Sequence, residues 1–158
     1  LELGNLTVEP FGVSHDAADP IGINVYSGKD KATVVTDTGV ITDDILHRLD
    51  GSTLLVLEAN YDPHMLRFGP YQPFLKQRVA SDKGHLSNEM AAQALLMMKR
   101  PEFMQVILAH RSENNNNAVL VTQTIGKMLV DGGVRIGSEM KLQHGQPNEI
   151  VSMKSVKR

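Results

Sequence analysis

The chain has 158 residues, 41% hydrophobic and 22% charged, with a net charge of −2, which suffices for one ordinary domain with a real core. Aromatic residues make up 4% and tryptophan is absent, so the core must be built mainly from aliphatic side chains and methionine. The small net charge excludes a global attraction for nucleic acid and leaves only a local patch. The lack of cysteine excludes disulfides and thiolate zinc sites, so any metal must be held by His, Asp or Glu.

No apolar run approaches the length of a membrane span, and no charged-then-apolar leader is visible, which favours a cytoplasmic protein. The chain starts Leu1-Glu2-Leu3 without an initiator methionine, as a processed or truncated product would. No internal repeat is visible. Leu6 to Phe11 and Ile21 to Ser27 read as strands, joined to the β-branched run Ala32 to Thr36 by a turn over Gly28 to Lys31. Thr42 caps a helix to about Leu49, with Asp43 and Asp44 at its positive end. Thr53 to Leu57 is a strand. Pro63 to Val79 is helical with breaks at Gly69, Pro70 and Pro73. Ser87 caps a helix over Asn88 to Lys99, whose apolar stripe is Met90, Ala91, Ala94, Leu95 and Met98. Met104 to Ala109 is a strand, Asn117 to Asp131 a helix stopped by Gly132, and Lys141 to Met153 one or two edge strands around Gly145 to Pro147. Strands alternating with helices give a sheet with helices on one face.

Several predicted strands run into a group able to bind a metal or move a proton: His15 and Asp16 in FGVSHD, Asp37 in VVTDTG, Glu58 in LVLEAN and His110 in ILAHRS. His85, in KGHLSNE, lies just before a helix start. Loops at strand ends of α/β sheets converge on ligands, and rigid strands hold ligands accurately. Each residue taken singly also fits a plainer role: turn chemistry for Asp37, a local ion pair for Glu58, helix capping for Ser87 and Asn88. His47, His64 and His144 read as ordinary surface residues. Residues alone therefore give an α/β domain with a candidate metal site.

The words FGVSHDAADPIG, VTDTG, LEANYD, DKGHLSNE and LAHRSENNN, in this order and spacing, resemble the C-terminal half of metallo-β-lactamase-fold hydrolases. The YycJ/WalJ-like subfamily is most similar, with ribonuclease Z a more distant relative. The resemblance runs from about Leu6 to Asn117. It implies an α+β fold, an αββα sandwich of which this chain supplies mainly one sheet with its outer helices. It implies two divalent metal ions, zinc first and manganese second. His15 resembles a ligand of the first metal, Asp37 the carboxylate bridging both, and His110 a ligand of the second. Glu58 and His85 resemble a pair in which the Glu orients a His that moves a proton to the leaving group. Ser87 and Asn88 at a helix end, with Arg111 and Asn114 in the loop after His110, are candidate substrate contacts; Asn117 reads as a helix cap. Arg111 stands where the relatives usually carry an apolar residue.

The family's His-x-His-x-Asp-His motif, which supplies the remaining ligands from the N-terminal half, does not occur in these 158 residues. The chain therefore resembles half an enzyme, expected to bind metal weakly, to be inactive alone, and to pair with its missing half or another copy through an exposed sheet. For the complete enzyme the resemblance implies a phosphodiester hydrolase, a DNA exonuclease-like nuclease. Arg67, Lys76, Arg78 and Lys83 offer either a nucleic-acid contact or a solvated basic face. Two other functions stay open: a small-molecule metallohydrolase of the same fold, and a non-catalytic fragment that binds a partner.

Overall fold

The computed structural model describes residues 1–146 and 149–152. Seven strands form one sheet in chain order. β1 (Glu2–Leu3), β2 (Leu6–Gly12), β3 (Ile21–Ser27) and β4 (Asp30–Val35) pair antiparallel, and β5 (Leu54–Glu58), β6 (Met104–Ala109) and β7 (Met140–His144) continue from β4 in parallel. α1 (Asp43–Leu49) joins β4 to β5; α2 (Pro63–Phe68), α3 (Pro73–Val79) and α4 (Asn88–Met97) join β5 to β6; α5 (Ala118–Asp131) joins β6 to β7. The parallel strands advance in one direction, so right-handed crossovers put α1, α4 and α5 on the same face, while α2 and α3 pack on a small cluster of their own around Tyr61. Two antiparallel steps make β2 parallel to β4. The C-terminal ends of β2, β4, β5 and β6 therefore share one edge of the sheet.

Strand alternation sorts the two faces. On one, Val35, Leu55, Leu57, Val106 and Leu108 pack with Ile45, Leu49, Ala91, Leu95, Val121, Ile125 and Leu129, each at most 3% exposed. On the other, Pro10, Ile23, Val34, Val56 and Ile107 stand in register across five strands. That row is only partly covered, and Val34 is 39% exposed. Helices on one face only is the arrangement read from the sequence. Among the described residues no helix is long and apolar enough to cross a membrane.

The differences from the sequence reading have local causes. The hairpin turn is tighter than Gly28 to Lys31: Ser27 pairs with Asp30, and Gly28 takes a positive φ of 58° that suits glycine. The fourth helix stops at Met97, because Met98 is extended and the Arg100 guanidinium takes the free carbonyls of Leu95 and Leu96. Pro101 further disfavours helical backbone at Arg100. The expected edge strand is β7 alone. Gly145–Gln146 and Glu149–Ser152 carry no strand, and Pro147 and Met153 lie outside the described residues. β1 was not anticipated; two residues are too few for a periodic signal.

Leu57 is fully buried between the helices and the strand end that carries Glu58. Leu57→Ala should lower the unfolding free energy by about 2–5 kcal/mol, read as a fall in the urea midpoint with an unchanged m-value.

Candidate metal centre

Five of the six residues singled out at strand and helix ends meet at one edge of the sheet, and the sixth, Asp16, lies beside them with Oδ1 3.5 Å from His15 Nε2 and its other oxygen paired with Arg78. Glu58 is the last residue of β5, His110 follows β6 directly, Asp37 follows β4, His15 follows β2, and His85 precedes the α4 cap. Ligand atoms of Asp37, Glu58, His85 and His110 all lie within 4.8 Å of one another. His15 joins them with Nε2 at 3.8 Å from Asp37 Oδ1, its ring centroid 5.0 Å from that of His85.

Glu58 organises this group. It is fully buried. Its Oε1 accepts hydrogen bonds from His85 Nδ1 at 2.7 Å and His110 Nδ1 at 2.6 Å. Its Oε2 accepts from the backbone amides of Thr38 at 3.1 Å and Leu86 at 3.3 Å. Those two amides belong to the residues that follow Asp37 and His85, so one carboxylate ties down three loops. Burial works to raise the Glu58 pKa. The hydrogen bonds from His110 and His85, with the charge of His85 and the Thr38 amide, outweigh it and hold the carboxyl below its ordinary value.

The histidines are oriented through Nδ1. His110 and His85 donate from Nδ1 to Glu58, and His15 donates from Nδ1 to the Gly84 carbonyl at 2.9 Å. Each then keeps Nε2 as its free lone pair. His15 Nε2 and His110 Nε2 face the same Asp37 oxygen, at 3.8 and 3.6 Å. Imidazoles fixed through the second nitrogen and aimed at a shared carboxylate are a donor set that suits zinc or a similar divalent ion. Glu58 Oε1 already has two donors, so this oxygen serves orientation. Asp37 and His110 both sit at positive φ, 56° and 52°. Non-glycine residues held in that region mark places where tertiary contacts override local preference. At His110 one such contact is Asn60, whose Nδ2 donates to the His110 carbonyl at 2.7 Å.

The asparagines after His110 are mostly structural. Asn116 Nδ2 donates to the carbonyls of Ala59 and Asn60 and to Asn88 Oδ1, and Asn88 Nδ2 donates back to Asn116 Oδ1 at 3.1 Å. Both side chains are buried. This amide pair locks the start of α4 to the β6–α5 loop, and sequence reading missed it. Asn117 caps α5 by accepting from Leu120 N, as expected. Ser87 accepts from Met90 N as the α4 cap, and the Asn88 amide donates to the Tyr61 carbonyl. The polar atoms of Ser87 and Asn88 are thus engaged inside the protein. Asn114 is exposed. Arg111 borders, with His110, a cavity of about 580 Å³ at the start of α5, and its Nη1 is shielded from solvent without a partner among the described residues.

Residues 1–110 match the family described as the beta-lactamase superfamily domain. The chain is 35% identical over 144 residues to an exodeoxyribonuclease YycJ of Bacillus anthracis, and 33% identical over 145 residues to an exodeoxyribonuclease WalJ of Streptococcus pneumoniae. These matches cover 91% and 92% of this chain and 54% of each relative, so the chain spans about half the length of the curated relatives it matches. Among solved structures, the metallo-β-lactamase fold protein YhfI of Bacillus subtilis superposes with a TM-score of 0.61 at 14% identity, over 90% of this chain and 48% of that one. Zinc-bound PqqB of Methylobacterium extorquens gives 0.57 at 18%, over 90% and 49%. Human tRNase Z, short form, gives 0.54 at 19%, over 72% and 38%. These structural likenesses establish the fold alone.

Two measurements probe the site's internal geometry. Asn116→Ala strands the Asn88 amide and two backbone carbonyls, and should cost about 1–3 kcal/mol in urea unfolding. The Glu58 hydrogen bond, working against burial, raises His110 above its ordinary 6.5. Its contribution to the metal-free chain is therefore full below that value and declines as pH rises through the raised pKa. A pH series of melting temperatures should show this loss in the native chain, and its absence in His110→Ala.

Proposed function

The chain belongs to the beta-lactamase superfamily domain family, and from that membership we propose that it supplies one wall of a two-metal site hydrolysing phosphodiesters in nucleic acid. DNA exonuclease activity would reside in the whole protein. The observation that carries this reading is the pair of Nε2 atoms, His15 and His110, facing one Asp37 oxygen. His15 and Asp37 would hold one divalent ion, and Asp37 and His110 the other. Two bound ions, zinc first and manganese second, supply a water of lowered pKa and offset the charge of the phosphate.

The chain's own residues do the rest. His85 keeps its ring fixed by Glu58 through Nδ1, which leaves Nε2 to pass a proton to the leaving oxygen. The buried Glu58 charge stabilises the imidazolium needed for that step. Glu58 also fixes the His110 ring, so the proton-transfer group and a metal ligand share one anchor. Arg111 and Asn114, beside His110, are the side chains for substrate phosphate. Ser87 and Asn88 serve by holding the loop that presents His85. Nuclease chemistry is supported over other hydrolases of the family by the Glu58–His85 pair and by the exodeoxyribonuclease names of the relatives.

The remaining metal ligands and the cover for the apolar row Pro10–Ile23–Val34–Val56–Ile107 would come from further polypeptide, the N-terminal half of the domain or a second copy. The isolated chain would then bind metal weakly and hydrolyse nothing. We place the complete enzyme in the cytoplasm.

The test uses the complete enzyme. His85→Ala should lower kcat on DNA by about 10²–10⁴-fold and leave the metal content unchanged, while Asp37→Ala should lose bound metal and activity together. Wild-type cleavage by His85→Ala, or full metal retention by Asp37→Ala, would contradict the assignment.

A further inference from the structure

The segment between Asp62 and Asp82 differs from the rest of the chain. It carries Arg67, Lys76 and Arg78 and no acidic residue, in a protein whose net charge is −2. It also carries two of the chain's four phenylalanines, Phe68 and Phe74, and both are turned outward, 67% and 71% exposed. Phe68 closes α2 and Phe74 opens α3, on either side of the Gly69-Pro70 turn. Their exposure is not a failure of local packing. Leu66, Val79 and Tyr61 form a small core beneath the two helices, with Tyr71 and Leu75 against it. The aromatic rings are the side chains left over once that core is complete.

A cation lies beside the first of the rings. The Arg67 guanidinium lies 5.4 Å from the Phe68 ring centroid, and the His64 ring lies 4.6 Å from it. Lys76 reaches back from α3 to the Arg67 carbonyl at 2.8 Å, which ties the two short helices together. The surface is continuous with the metal centre. Arg78, near the end of α3, pairs with Asp16 beside His15, and Gly84, which follows Lys83, holds the His15 ring. A strand lying along α2 and α3 would therefore run toward the edge where His15, Asp37 and His85 meet.

We propose that this α2–α3 surface is a stacking platform for single-stranded DNA, with bases on Phe68 and Phe74 and the backbone phosphates on Arg67 and Lys76. This deepens the nuclease reading above and rests on it. A purely apolar patch would suit a protein partner, but two exposed rings in a segment whose Arg67 and Lys76 have no carboxylate partner among the described residues match the two faces of a single strand: flat bases and a charged backbone. Base stacking tolerates any sequence, as an exonuclease requires.

Binding is tested apart from hydrolysis, by fluorescence anisotropy of a labelled oligothymidylate with the complete enzyme in EDTA. Phe68→Ala and Phe74→Ala should each weaken binding about ten-fold or more. Phe68→Tyr and Phe74→Tyr should retain near-native affinity, which separates lost stacking from misfolding. Arg67→Gln should lower the slope of log K against log salt by about one. Unchanged affinity in both alanine variants, or their loss of a protein–protein association in sedimentation with DNA binding intact, would overturn the proposal. The two readings fail separately. An enzyme that binds the oligonucleotide through these rings but cuts nothing once metal is restored sinks the nuclease assignment. Cleavage by an enzyme whose alanine variants bind normally sinks only the platform.

Discussion

A single buried carboxylate decides the geometry of the site. Glu58 sits at the end of a strand with no exposure to water, where an ionised group survives only if its lone pairs are filled. Four donors fill them, and each comes from a loop that carries a candidate site residue. The penalty of leaving any donor out is what forces the loops together. The cluster is therefore a consequence of satisfying one buried charge, and the strained backbone at Asp37 and His110 is held by the same constraint.

The parallel part of the sheet makes this possible. Strands β4, β5 and β6 advance in one direction, so their C-terminal ends lie side by side, and β2 adds its end through two antiparallel steps. Helices packed on one face give the strands a rigid apolar support up to the residue before Glu58 and His110. Leu57 precedes Glu58, and Leu108 and Ala109 precede His110. The Asn88–Asn116 amide pair then ties α4 to the loop after His110 from below, so that His85 and His110 cannot drift apart.

Much of this is legible in the sequence because apolar runs that stop at Asp37, Glu58 and His110 mark the ends of buried strands. Thr42, Ser87 and Asn117 announce their helices through capping chemistry that needs only the next three residues. What is not legible is everything that joins distant segments. Glu58 meets His85 across 27 positions and His110 across 52. The resemblance suggested the first contact; nothing in the sequence suggested the second. Asn88 reads as a substrate contact because its position at a helix start is visible and its partner, Asn116, is not. Phe68 and Phe74 look like core residues by composition, and only the completed packing of Leu66 and Val79 shows that they are surplus to it.

The most direct test is a ¹⁵N NMR measurement of the histidine rings during a zinc titration. Before zinc, at a pH above the raised His110 value, His15, His85 and His110 should be Nδ1-protonated, with Nε2 carrying the lone pair. On zinc addition the Nε2 resonances of His15 and His110 should shift while His85 keeps its free-imidazole pattern. Nε2-protonated rings in the metal-free protein, or a His85 that binds zinc in place of His15, would contradict the division between two metal ligands and one proton-transfer group anchored by Glu58.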